Sequence, residues 1–124
     1  MRKLDAVVFG KGHGCSKCTV LKSRLSRILE AEKYGDVTMK FEDVLTEPGM
    51  VEFLKAEVLN PNRIPALLMR DAETGEWLDA QGCGNVHDPK STGHILGIQT
   101  DYNTGGGLIS PQMIEEVLDR ALEQ

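Results

Sequence analysis

Two cysteines stand two residues apart in the stretch GKGHGCSKCTVLKSRL, residues 10–25. Thiols at that spacing can trade electrons as a reversible disulfide, hold a metal as thiolates, or fill space. A thiol reacts as its thiolate. The first turn of a helix offers unpaired backbone N–H groups and the positive end of the helix dipole, and both favour an anion. Cys15 falls where a glycine-rich loop gives way to a helical pattern, with Lys11 and Lys17 close in sequence. Cys18 lies one turn further in, more shielded yet within reach of Cys15. That division suits Cys15 as an attacking thiol and Cys18 as a resolving one. A pair of buried structural cysteines is a poor reading, because Gly12-His13-Gly14 is not core sequence.

A CxxC spacing alone also serves zinc sites. It becomes a redox signature when it follows a strand and opens a helix within a βαβ unit, so the flanking elements decide. Leu4 to Phe9 is a short apolar run closed by Gly10, which predicts a buried strand. From Ser16 to about Lys33 the residues Val20, Leu21, Leu25, Ile28 and Leu29 recur at helical spacing, and Gly35 suits the stop. Val37 to Val44 alternates and predicts a strand with one face less buried. Thr46-Glu47-Pro48 starts a second helix that ends before Asn60-Pro61. Ile64 to Met69 is a third strand opened by a proline, Gly75 turns the chain, and Trp77 to Ala80 is a fourth strand. Ser110 caps a last helix, with Pro111 at its first position.

The expected order is β-α-β-α-β-β-α, an α/β domain with a four-stranded mixed sheet. Strands joined by a helix run parallel, and strands joined by a tight turn run antiparallel. Residues 1–124 form one domain, with no internal repeat. Residues 82–109 contain no clear helix and include Gly105-Gly106-Gly107. A loop of that length in a small domain is usually functional. His94 to Ile98 offers an extra strand within it.

With these elements in place the chain resembles a glutaredoxin of the thioredoxin-fold superfamily. The resemblance rests on VVFGKGHGCSKC, RIPALLM and QGCGN, and it spans the chain except residues 85–109, an inserted loop before the last helix. It implies a cis bond between Ile64 and Pro65, with Pro65 beside the cysteine pair. It also implies that the Ile64 backbone pairs with an incoming peptide or glutathione as an added strand. Lys11 matches the family's glutathione-binding lysine, one residue out of step. Gly82-Cys83-Gly84-Asn85 matches its glycine pair and acidic residue, with a cysteine inserted and no carboxylate. The middle pair Ser16-Lys17 replaces the usual Pro-Tyr.

Topology brings the start of the third strand and the exit of the fourth, Gly82-Cys83-Gly84, to the edge that carries Cys15. Cys83 has three readings: an inert small residue in a turn, an auxiliary thiol, or a metal ligand. In the last, Cys15, Cys18, Cys83 and one of His13, His87 or His94 would hold zinc or an iron–sulfur cluster. The loop reads as a client-specificity element hinged at its glycines.

The totals narrow the classes. The 124 residues carry a net charge of −5, which argues against a nucleic-acid or anionic-membrane partner. No apolar run approaches the roughly 20 residues of a membrane span. The N-terminal run reads as a strand rather than a signal peptide, and an odd, small number of cysteines argues against a disulfide framework. A cytoplasmic thiol–disulfide oxidoreductase is the expectation. It needs no bound cofactor, takes a disulfide-containing client protein as partner, and uses glutathione or a flavoprotein reductase as reductant. The other expectation is a metal- or cluster-binding module on the same scaffold.

Overall fold

The computed structural model describes residues 3–55, 65–78, 96–100 and 108–123. Strand β1 (Leu4–Gly10) leads into helix α1 (Ser16–Ile28), a short 3-10 turn (Glu32–Tyr34) and strand β2 (Val37–Asp43). Helix α2 (Glu47–Lys55), strand β3 (Ala66–Asp71), strand β4 (Gly97–Gln99) and helix α3 (Pro111–Leu122) follow. The sheet order is β2-β1-β3-β4. β1 and β2 run parallel from Leu4 opposite Val37 to Gly10 opposite Asp43. β3 runs antiparallel to both β1 and β4.

Strand alternation divides the core between the two faces of the sheet. Leu4, Ala6 and Val8 of β1 join Leu67 and Met69 of β3 against Leu21 and Leu25 of α1 and Ile114, Leu118 and Ala121 of α3. Val7, Phe9, Ala66 and Leu68 line the opposite face with Val44 and Cys18, and Trp77 packs against them. β2 sits at the edge, and its alternation is the expected one: Thr38 and Lys40 are exposed, while Met39 and Phe41 pack on the α1 side. A charged pair crosses β1 and β3, where Arg70 reaches Asp5 Oδ2 at 3.0 Å.

α1 ends earlier than its apolar period suggests, with Leu29 as its C-cap. The chain tightens there, and Glu30 and Ala31 bond back to Arg27 and Ile28. This turn buries Tyr34 and lets its hydroxyl donate to Asp119 Oδ1 of α3 at 2.8 Å. Gly35 is not a left-handed cap, since its φ is −58°. Ser110 caps α3 as expected, accepting from the Met113 N–H at 3.2 Å.

The fourth strand differs from its expected span, Trp77 to Ala80. Trp77 forms an isolated bridge with Arg70. The Leu78 N–H then donates to the Met69 carbonyl, the Met69 N–H to the Leu96 carbonyl, and the Leu96 N–H to the Leu78 carbonyl. Leu78 and Leu96 thus share one partner, and the strand resumes as Gly97–Gln99. Two stretches distant in sequence, Trp77–Leu78 and Leu96–Gln99, thus form this edge beside β3. Gly97 has no Cβ because one there would strike the Leu67 carbonyl. The extra strand expected at 94–98 is the second half of this interrupted strand.

Candidate active site

β1 delivers the chain to the sheet edge at Gly10. A Cβ at Gly10 would lie 2.9 Å from Cys18 Sγ and 3.2 Å from the Phe41 ring, so the backbone passes close over the buried thiol. Residues 11–14 are exposed. Gly14 has φ +71°, a left-handed conformation that glycine adopts without steric penalty. That turn sets Cys15, extended at φ −130° and ψ 94°, as the N-cap of α1.

The cap is a sulfur. Cys15 Sγ accepts the Cys18 N–H at 3.2 Å, in the manner of a capping oxygen. The first turn of α1 holds no acidic residue to compete with an anion there. Cys15 and Cys18 are joined as a disulfide with their Cα atoms 5.3 Å apart. Cys15 is partly exposed, whereas Cys18, in the first turn of α1, is fully buried in the cluster that includes Phe9 and Ala66. The Lys11 N–H donates to Cys18 Sγ at 3.5 Å. Lys11 therefore contributes its backbone to the pair, while its side chain lies in the exposed loop.

Pro65 is placed where the antiparallel pairing predicts. Phe9 faces Ala66 across β1 and β3, so Pro65 lies one register step further on, level with Gly10. It is buried, and Ala66 beside it packs in the cluster that holds Cys18. Its carbonyl accepts the Thr100 N–H at 2.9 Å. This bond brings the strand end Gln99-Thr100 to the same edge. Ile64, Gly82, Cys83 and Gly84 lie outside the described residues, as do His87 and His94. His13 is exposed in the redox loop. Among the described residues no group of three or more His, Cys, Asp and Glu is arranged to hold a metal.

Two site residues were not singled out in the sequence. Thr100 follows the split strand and carries no motif. Asp43 ends β2, where its Oδ1 accepts the Leu45 N–H at 2.9 Å. Its other carboxylate oxygen fills the place a Cβ of Gly12 would take, and its carbonyl does the same at Gly49. The Val44 N–H donates to the Gly10 carbonyl at 2.9 Å. Asp43 thereby locks the redox loop to the start of α2. An Asp three residues before the Thr46 cap is a usable turn signal.

The arrangement can carry out thiol–disulfide exchange: a partly exposed sulfur at a helix N-terminus above a buried sulfur within bonding reach. No family model matches the sequence, and no curated relative matches it significantly. Among solved structures the chain is similar to chloroplastic thioredoxin z, with a TM-score of 0.54 and 18% identity over 99% of this chain and 81% of that one. Its four-stranded mixed sheet, three helices and cysteine pair at the head of α1 give this chain the thioredoxin fold.

Proposed function

We propose that the protein is a thiol–disulfide oxidoreductase that reduces disulfides in a client protein. The observation that supports this most is the unequal setting of the two sulfurs, Cys15 partly exposed as the helix N-cap and Cys18 buried beneath it. In the reduced protein the Cys15 thiolate attacks one sulfur of the client disulfide. That bond breaks, the other client sulfur leaves as a thiolate and takes up a proton, and a mixed disulfide remains. The Cys18 thiolate then attacks Cys15 Sγ, releases the second client thiol and leaves the Cys15–Cys18 disulfide. Two electrons have passed to the client. An external reductant, two molecules of glutathione that leave as glutathione disulfide or a flavoprotein reductase, restores the pair.

The resemblance to glutaredoxins supports glutathione, with Lys11, Ile64, Pro65 and the Gly82-Cys83-Gly84 turn as its contacts. The client is a reductase that ends each turnover with a disulfide, and the setting is the cytoplasm. No helix among the described residues is long and apolar enough to cross a membrane. Three variants test the reading by their capacity to reduce a protein disulfide. Cys15→Ser abolishes reduction, Cys18→Ser accumulates a mixed disulfide with the client, and Cys83→Ser retains most activity. Unchanged turnover in Cys15→Ser would overturn it.

A further inference from the structure

Most of the large apolar side chains exposed among the described residues stand together. Leu45, Met50 and Val51 are 53%, 41% and 46% exposed, and Leu108 is the other, just ahead of α3. The first three sit on the β2–α2 connection and the first two turns of α2. That connection adjoins the redox loop: Gly10 pairs with Asp43, and the Asp43 carboxylate lies against Gly12. The ledge therefore begins beside the loop that presents Cys15. Exposed apolar side chains gathered next to a reactive centre mark an interaction surface.

The charges around the ledge specify what it fits. An open groove of about 570 Å³ runs along its α2 flank, lined by Glu42, Glu47, Pro48, Val51, Glu52 and Arg70. Arg70 is already engaged by Asp5 at 3.0 Å and Glu52 at 3.7 Å. Glu42, Glu47 and Asp43 leave this flank anionic, and Lys40 is the cation on the same face of β2. Lys11 and Lys17 are the cations near Cys15 in the sequence. A polypeptide that runs from the redox edge towards α2 thus meets an apolar, negative shelf.

Resting on the redox reading above, we infer that the Leu45–Met50–Val51 ledge docks the client, and that the docked segment sets an apolar residue and lysine or arginine beside its disulfide. Apolar contact supplies the grip, while the carboxylates select and orient the client.

The test uses the full chain, pre-reduced, and two synthetic disulfide peptides identical except for Lys-Lys or Glu-Glu beside an apolar residue. A small uncharged disulfide is the control. The lysine peptide is expected to show a kcat/KM about fivefold higher at low ionic strength, carried by KM and shrinking as salt screens the charges. The Glu42→Gln/Glu47→Gln double variant erases that preference. Leu45→Ser raises KM for both peptides, and both variants reduce the control disulfide at the wild-type rate. Equal rates for the two peptides, or a preference for glutamate, would overturn the inference while leaving the redox reading intact. A dimer in sedimentation that Leu45→Ser dissolves would assign the ledge to a second copy of the chain and overturn it equally. Failure of the wild-type protein to reduce even the control would sink the redox reading, and the docking with it.

Discussion

At the scale of single residues the site depends on glycines as much as on cysteines. Gly14 supplies the left-handed turn that seats Cys15 as a cap, and Gly12 leaves room for the Asp43 carboxylate. Gly12→Ala must push that carboxylate aside and is expected to destabilise the protein by about 1–3 kcal/mol, as overpacking does. Urea unfolding of Gly12→Ala, Asp43→Ala and the double variant checks this. The double variant recovers part of the loss, because the clash has gone. Additive losses would show that the two residues do not share a site. The cysteine pair was legible in the sequence, since spacing and the strand-to-helix context are local. The reason for Gly12 was not, because the atom that requires it belongs to Asp43, a strand away.

Elements hold the redox helix through α3. Arg24 of α1 donates to the Ile109 carbonyl at 2.8 Å, and Tyr34 beyond α1 donates to Asp119. Burial, then the bond to Asp119, pushes the Tyr34 hydroxyl above its ordinary 10.0. The neutral phenol is the stabilising form. Its contribution is present in full below pH 10 and lost as pH rises through the folded-state value. Lys33 is raised above its ordinary 10.5 in the same sense, chiefly by hydrogen bonding to Tyr34, and its contribution also fades only at high pH. Tyr34→Phe is expected to lose about 1 kcal/mol near neutrality. It should also flatten the alkaline fall in stability that chemical denaturation at pH 8 to 11 records for the wild type. A fall of equal steepness in Tyr34→Phe would contradict this assignment. The helices and the first three strands were legible because each carries a sustained apolar pattern. Strands were also expected at Trp77–Ala80 and His94–Ile98, but not that Trp77–Leu78 and Leu96–Gln99 form one edge, since no local pattern links two stretches so far apart in sequence.

At the scale of the whole molecule, the described residues form a thioredoxin fold whose edge strand comes from two separate stretches, Trp77–Leu78 and Leu96–Gln99. Leu78 and Leu96 are bonded to each other opposite Met69, and residues 79–95 are the segment between them in sequence. Replacing that segment with a four-residue turn is expected to preserve cooperative unfolding. Shortening the loop should raise stability by about 1 kcal/mol through closure entropy. Calorimetry and the reduction of a small disulfide check the result, and loss of either folding or reduction would tie the segment to the core. Fold class was legible at this scale because element order alone restricts the topologies. The contact between Thr100 and Pro65 at the redox edge was not, because Thr100 carries no motif and follows a strand of only three residues. The central claim is that Cys15 and Cys18 form a reversible redox couple, and a redox titration with mapping of the paired cysteines tests it most directly. The account predicts one two-electron transition, assigned to Cys15–Cys18 and unchanged in Cys83→Ser. Cysteines that stay reduced across the whole range, or an oxidised state that joins Cys83 to either of them, would contradict it.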